Sequence, residues 1–220
     1  MTIFQKIIGV LIGTMILGLG VAFFEISNLG FDGLSCFVVS IQKLINTSYS
    51  IAYLLTNLLF LIIMIIFLRK QIGIGTVINY LLTGVFTDLF LYIFRIINFG
   101  HSEFIIINII FGFLGVIFLS IGVAVYANAN LGVTPYDSIP LVIIKYFKLF
   151  NRPIKYHVAR KFVDGTCILI GIVLGMICLK QYYIFGINTV MALLLVGYIV
   201  SFTSKIINKY IYKNNNNMFN

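Results

Sequence analysis

Long apolar runs fill most of the chain, and short polar or glycine-containing breaks separate them. Runs of 18 or more apolar residues are typical of helices that span a membrane. The pattern predicts six long helices, at about residues 4–26, 50–68, 74–97, 103–126, 157–179 and 184–207. Two shorter apolar pieces, 34–45 and 139–150, follow the first and the fourth of them. Because each is short for a hydrocarbon core of roughly 30 Å, we expect membrane-embedded helices that are re-entrant, interfacial or tilted.

The composition agrees with a membrane protein. Apolar residues make up 61% of the chain and charged residues 10%, with a mean hydropathy of +1.10. A soluble domain is nearer half apolar and a quarter charged. The first apolar run, Ile7–Phe24, is too long for the apolar part of a signal peptide, and no small-residue cleavage site follows it. The predicted fold class is therefore all-α, a polytopic transmembrane helix bundle.

Two stretches with the same plan interrupt the apolar pattern. Residues 20–35 read GVAFFEISNLGFDGLS and residues 122–137 read GVAVYANANLGVTPYD, so Gly-Val-Ala and Asn-Leu-Gly recur at an offset of 102. Two further blocks match in the same order, 49–52 with 156–159 and 73–76 with 186–189. These matches predict an internal duplication, with repeat 1 over residues 1–98 and repeat 2 over 99–208. A polar, disordered cytoplasmic tail is predicted for 209–220.

The basic residues bear on topology. The net charge is +9, but the lysines and arginines lie between the apolar runs, where they set the orientation of a membrane protein. Six long spans put 12 basic residues on the cytoplasmic side and 3 outside, and eight spans give the same division. Both versions place the N- and C-termini in the cytoplasm. Six spans make the two repeats inverted and eight make them parallel, and the charge pattern favours neither.

Six acidic residues occur in the chain, and most of them lie in or beside apolar segments: Glu25, Asp32, Asp88, Glu103, Asp137 and Asp164. An ionisable side chain inside the membrane is costly, which makes each one a candidate functional group. Asp88 is predicted either to form an ion or proton site inside the bundle or to pair with Arg95. Asp164 aligns with Asn57 of the other half, which favours a shared cavity, but Arg160 at i−4 offers a simple helical ion pair.

The two broken segments are the other candidate site. Asp32 and Asp137 lie at the starts of the short pieces, where a carboxylate stabilises a helix N-terminus. Alternatively, broken backbone at membrane depth must line a cavity, because peptide groups exposed to lipid are prohibitive. In that case the polar and glycine positions of the breaks would contact a solute, namely Asn28, Gly30, Asn130, Gly132 and Thr134.

Enzymatic patterns are absent from the sequence. It contains no HExxH, GxSxG, P-loop or Rossmann glycine motif. Its two histidines, His101 and His157, lie in predicted loops, and its three cysteines, Cys36, Cys167 and Cys178, lack metal-site spacing. We therefore expect neither an enzyme nor a cofactor or metal site, and the basic residues do not form the patch that nucleic-acid binding needs.

Several motifs resemble a known family. Asn-Leu-Gly-x-x-Pro-x-Asp at 130–137 is followed by Gly-Ile-x-Thr at 186–189, and Gly-Ile-Gly-Thr at 73–76 is followed by Gly84. This pattern is similar to the YczE/YyaS/YitT group of bacterial integral membrane proteins and covers about residues 5–207. The first half departs from it, with Phe31-Asp32-Gly33 in place of a stretch that contains proline. The resemblance implies a membrane protein of a group often presumed to transport.

We therefore predict a transporter or exporter of a small solute or ion. The predicted site at the repeat interface comprises Asp164, Asn57, Asp88, Asp137, Asp32, Asn130, Gly132, Thr134, Asn28 and Gly30. The predicted partners are the lipid bilayer, an unknown small solute or ion and a second copy of the chain in a homo-oligomer, but no nucleic acid. The alternative is a membrane scaffold or regulator that binds a cytoplasmic enzyme through the basic stretch 145–161.

Overall fold

A computed structural model describes residues 2–100, 102–151, 154–178, 180 and 184–209. The described residues form helices and no strand, as the apolar pattern predicts. The helices are α1 (Ile3–Ser27), α2 (Gly33–Ile45), α3 (Tyr49–Phe67), α4 (Ile74–Ile96), α5 (Ile105–Asn128), α6 (Pro135–Leu149), α7 (Tyr156–Gly171) and α8 (Ile187–Ile207). A 3₁₀ turn covers Arg69–Gln71, and a π-helical segment, Ile172–Cys178, extends α7. The predicted tail from residue 210 onward, with His101, lies outside the described residues.

Within the described residues, five helices are long and apolar enough to cross a membrane: α1, α3, α4, α5 and α8. With its π-helical extension, α7 reaches a similar length, since the two segments have 16 and 7 residues. Large apolar side chains on the outside of the bundle, such as Ile66 and Phe113, are exposed in the absence of lipid. A soluble protein rarely exposes so much contiguous apolar surface. The all-α membrane bundle is thus confirmed.

The two central helices, α1 and α5, are antiparallel and pack backbone to backbone. A Cβ atom added to Gly122 of α5 would lie 2.5 Å from the Leu17 nitrogen and 2.7 Å from the Gly13 oxygen of α1. Seven residues earlier on α5, a Cβ atom added to Gly115 would lie 3.1 Å from the Gly20 oxygen of α1. Glycine permits this closeness because it has no side chain, and such small-residue contacts are what hold helices together in lipid.

The contacts of α4 and α3 give the direction of each helix. Helix α4 is parallel to α1, because Thr14 bonds Asn79 and, farther along both helices, Phe23 packs on Phe94. Helix α3 runs the opposite way, since Tyr80 of α4 bonds the Leu54 oxygen at 3.1 Å and Asp88, farther along α4, accepts from the Ser50 nitrogen, earlier in α3. We call the end of the bundle that holds Ile3 the near end and the end that holds Ser27 the far end.

The two short helices do not cross the bundle. Helix α2 begins inside, where Gly33 packs on Asp164, and its last turn holds Lys43 beside Glu25 at the far end, where α1 also ends. Helix α6 begins inside and reaches the near end, where the Lys145 ammonium donates to the Phe67 oxygen at 3.0 Å. Each short helix therefore ends at the same end of the bundle as the long helix that precedes it.

The directions of α7 and α8 follow from their contacts with α2 and α1. Helix α7 is parallel to α2, because Asp164 lies at the start of α2 and Gly171 packs on Cys36 one turn later. Helix α8 starts at the far end, where the Asn188 amide donates to the Ser27 hydroxyl at 2.7 Å. Within the described residues, α7 therefore runs the length of the bundle with the five long apolar helices, and α8 ends at the near end together with the start of α1. Six membrane spans stay a prediction.

The two halves interlock through their breaks. The Leu29 oxygen accepts a hydrogen bond from the Asn188 nitrogen at 3.1 Å, and the Leu131 oxygen accepts one from the Gly75 nitrogen at 2.8 Å. Gly30 and Gly132, with φ of 100° and 109°, let the chain turn at these points. Each break is thus held by the first turn of the last helix of the other half, which satisfies backbone groups that lipid would leave unpaired.

We predict that Gly122→Ala lowers the free energy of unfolding by about 1–3 kcal/mol, because its methyl group forces α5 away from α1. Gly165→Ala is the matched control, since nothing lies within 4 Å of its added methyl group. Alanine there should raise stability by up to about 1 kcal/mol through helix propensity. Unfolding of the purified protein in detergent measures both, and equal effects would contradict the close α1–α5 packing.

Candidate functional site

A cavity lies inside the bundle between the two halves. Its volume is about 30 Å³, enough for one or two water-sized molecules. Every residue that lines it is buried: Leu17, Val21, Asp32, Leu34, Ser35, Tyr49, Tyr53, Leu119, Val123, Thr134, Tyr136, Asp137 and Arg160. The side chains come from α1, α3, α5, α6, α7 and the start of α2.

The lining consists of corresponding positions from the two halves. Five pairs are 102 residues apart: Leu17 with Leu119, Val21 with Val123, Asp32 with Thr134, Leu34 with Tyr136, and Ser35 with Asp137. Tyr53 and Arg160 are 107 residues apart, the spacing of the matched block at the start of α3 and α7. Most lining positions therefore recur at the offsets of the predicted duplication, whereas the charged residues among them do not.

The short helices present their acids at different positions. Asp32 is the N-cap of α2, and its carboxylate accepts from the Ser35 nitrogen at 3.5 Å. Thr134 is the N-cap of α6, and its hydroxyl accepts from the Asp137 nitrogen at 3.1 Å. Each cap satisfies a free N–H group of the first helical turn. The counterpart of Asp32 is thus Thr134, and Asp137 corresponds to Ser35.

Arg160 joins two carboxylates inside the bundle. Its Nε atom donates to both oxygens of Asp164, at 3.0 and 3.3 Å, and its Nη1 atom forms an ion pair with Asp137. The Asp137 carboxylate also accepts from the hydroxyls of Tyr126 and Thr134. Hydrogen bonds to a charged group compensate the loss of water that burial imposes.

Aromatic side chains complete the surroundings of Arg160. Its guanidinium carbon lies 4.8 Å from the centre of the Tyr136 ring, and its Nη1 donates to the Tyr156 hydroxyl at 3.2 Å. The Tyr136 hydroxyl in turn bonds Asp164. A cation over an aromatic face gains electrostatic energy when water is absent. Arg160 is therefore held in one position by four side chains.

The predicted role of Arg160 in a basic cytoplasmic loop is wrong. Only 3% of its surface is exposed, and it lies in the second turn of α7. The i,i+4 pair with Asp164 is confirmed, whereas a functional role of Asp164 stays a prediction. The sequence does contain a signal for a buried Arg160. It stands 107 residues after Tyr53, which is the offset between the matched blocks at the starts of α3 and α7.

Asp88 does not reach this cavity. It accepts from the Ser50 nitrogen at 3.0 Å and so caps the start of α3. It lines a separate space of about 550 Å³ at the far end with Glu25, Lys43 and Arg95. Asp88 and Arg95 form no ion pair among those of the described residues. Its predicted place in a central site is therefore not what the structure shows.

The other predicted residues shape the surroundings of the cavity. Asn57, which corresponds to Asp164, is buried and donates to the Tyr53 oxygen at 3.1 Å. Asn28 and Asn130 are exposed, and their φ values of 52° and 54° belong to the left-handed turns that end α1 and α5. Gly30 and Gly132 pack on the starts of α8 and α4. As binding residues these positions stay predictions, while Thr134, Asp32 and Asp137 line the cavity.

Helices long enough to cross a membrane, packed around a buried charged cavity, define an integral membrane protein. The chain belongs to the family described as "Family of unknown function (DUF6198)", which matches residues 4–205. It is similar to "Uncharacterized protein YyaS" of Bacillus subtilis (strain 168), 27% identical over 148 residues, 66% of this chain and 73% of the relative.

A second relative from the same organism, "Uncharacterized membrane protein YczE", is 35% identical over 78 residues, 36% of this chain and 34% of the relative. These similarities confirm the predicted YczE/YyaS group. No solved structure matches the chain.

We predict that Arg160→Gln destabilises the protein by about 3–5 kcal/mol, because it leaves two buried carboxylates without their cation. Replacing an exposed arginine, Arg69→Gln, should change stability by less than about 0.5 kcal/mol. Combining Arg160→Met with Asp137→Asn and Asp164→Asn removes all three charges and should recover most of the loss. Unfolding in detergent micelles measures the series, and an Arg160→Gln variant as stable as the control would contradict the buried network.

Proposed function

We propose that this protein is a secondary transporter of a small solute or ion. The observation that supports it is the buried cavity lined by corresponding residues of two halves. Many transporters place their site near the middle of the membrane at the interface of two repeats, where discontinuous helices meet. Here α2 and α6 are the discontinuous helices, and both begin at the cavity. The proposal assigns no catalytic residue.

The proposal includes an internal duplication with inverted halves. Helices α1 and α5 occupy corresponding places and are antiparallel, and the break of each half rests on the other half. Rocking of one half against the other would then open the cavity to one side at a time. Because every lining residue is buried, this structure corresponds to the occluded state of such a cycle.

We further propose that the near end faces the cytoplasm. The described basic residues at this end are Lys6, Arg69, Lys70, Lys145, Lys148, Lys155, Lys205 and Lys209, whereas Lys43, Arg95 and Lys180 belong to the far end. Lysine and arginine are enriched in cytoplasmic loops. The bilayer would then be a bacterial cytoplasmic membrane.

The size of the cavity favours a small species. About 30 Å³ holds an ion or a water molecule, and a larger solute requires the two halves to separate. The cavity also contains charged groups of both signs, Arg160 and the carboxylates of Asp32 and Asp137. An ion-sized cargo or coupling ion therefore fits the occluded state better than an organic molecule does.

Topology is tested with single cysteines at Ser48, Ser102 and Gln71, in a background that lacks Cys36, Cys167 and Cys178. We expect an impermeant thiol reagent to label Ser48→Cys and Ser102→Cys on intact cells, because both lie at the far end. Gln71→Cys, in the turn between α3 and α4, should react only after permeabilisation. The reverse pattern contradicts the proposed orientation. Labelling of Ser48→Cys and Gln71→Cys from one side contradicts the six-helix arrangement itself.

Alternating access is tested inside the cavity, in the same cysteine-free background. Ser35→Cys of the first half and Leu119→Cys of the second should react with small thiol reagents from both sides, in right-side-out and in inside-out vesicles. Ser120→Cys is the matched control, since it is buried beside Leu119 on α5 but does not line the cavity. It should stay unlabelled. Reaction from one side only, or from neither, argues against transport and favours a membrane scaffold.

A further inference from the structure

Asp32 is the one acidic residue of the cavity that the arginine network does not include. Arg160 carries one positive charge and pairs with two carboxylates, Asp137 and Asp164. Asp32 forms no ion pair within the described part of the chain. With all groups ionised, the buried cluster therefore contains three negative charges and one positive charge.

The surroundings of Asp32 leave its charge uncompensated. Only 5% of its surface is exposed, and its Oδ1 atom has no hydrogen-bond partner in the structure. Its Oδ2 atom accepts one long bond, from the Ser35 nitrogen at 3.5 Å. The N-terminus of α2 contributes only about half an elementary charge. A buried carboxylate in this condition is costly unless something positive binds to it.

We infer that the cavity binds one monovalent cation, a proton or Na⁺, at the Asp32 carboxylate. This inference rests on the proposed transport function and names its coupling or transported ion. The free Oδ1 atom belongs to a residue that lines the cavity, and the space beside it has the size of an ion or a water molecule. Either cation neutralises the carboxylate. The structure indicates a bound species with one positive charge, and the experiment distinguishes a proton from Na⁺.

Neutral oxygen atoms lie beside the same space. The Ser35 and Tyr49 hydroxyls are 3.0 Å apart, and both residues line the cavity with Asp32. Hard cations take oxygen ligands, and carboxylates are among them. The first half thus supplies a carboxylate with hydroxyl groups, whereas the second half places Asp137 against Arg160.

Other titratable groups face Asp32 and belong in the design of the test. The charged ones are Asp137 of α6 and Arg160 and Asp164 of α7. The neutral ones are Tyr49 and Tyr53 of α3, Tyr136 of α6, and the thiols of Cys36 and Cys167. Because Arg160 already pairs with Asp137 and Asp164, Asp32 is the carboxylate whose neutralisation should dominate the response to a cation.

The test uses the purified full-length protein and its thermal unfolding in detergent. Na⁺ is exchanged for choline at constant ionic strength and pH, and in a second series the pH is varied without Na⁺. The variant is Asp32→Asn, which keeps an N-cap residue and removes the charge. Asp88→Asn is the matched control, because Asp88 also accepts a backbone N–H at a helix start but lies outside the cavity.

We expect the bound cation to raise the melting temperature of the wild type and of Asp88→Asn by on the order of 5 °C near saturation. If Na⁺ is the ligand, the rise follows Na⁺ at fixed pH. If the proton is the ligand, stability falls as the pH rises without Na⁺. In both cases Asp32→Asn should lose the dependence and remain folded, since its neutral amide stands in for the neutralised acid.

Two results would overturn the inference. One is a wild type whose melting temperature responds to neither cation, and the other is an Asp32→Asn variant that keeps the full response. Infrared spectra add a measurement that does not depend on stability, because a protonated Asp32 has a carboxylic-acid carbonyl band that Asp32→Asn lacks.

If the cavity is labelled from both sides but Asp32→Asn keeps the response, transport stands and this cation site fails. If Asp32 controls the response but access does not alternate, the cation is structural and the transport proposal fails.

Discussion

The structure depends on how the peptide groups at the two breaks are satisfied. A helix that stops inside a bilayer leaves N–H and C=O groups that lipid cannot pair. Here the Leu29 and Leu131 oxygens are paired by the first turns of α8 and α4, which belong to the opposite half in each case. Each half thus depends on the other to pair a carbonyl group of its break. This requirement holds the halves together and places the starts of α2 and α6 at one shared cavity.

The residues that line the cavity recur at one sequence offset in part, but their charges do not. Leu17 and Val21 stand 102 residues before Leu119 and Val123, so this part of the apolar lining is the same on both sides. The polar lining differs, because Tyr53 in one half corresponds to Arg160 in the other. Inside a low-dielectric bundle such a difference matters far more than it would in water. The second half holds the ion network of Arg160, Asp137 and Asp164, and the first half holds Asp32, a cavity-lining carboxylate that forms no ion pair within the described residues.

The close packing of α1 and α5 gives this site a rigid frame. Glycines along both helices bring the backbones into contact, and cavity-lining residues such as Leu17 and Leu119 lie between them on the same helices. In contrast, α2 and α6 are short and are joined to these helices by glycine turns. Asp32 and Asp137, at the starts of these short helices, therefore follow glycine turns, whereas the apolar walls belong to the best-packed helices.

The sequence by itself determined the features that depend on local pattern. Apolar runs predict the helices because spanning a membrane needs length and hydrophobicity, and the Asn-Leu-Gly breaks follow from local turn geometry. The Arg160–Asp164 pair follows from i,i+4 spacing. Only the tertiary structure decided that Asp137, on another helix, completes this pair and that Asp88 lies elsewhere. Which end each short helix reaches also depended on packing between distant segments, which a local pattern does not record.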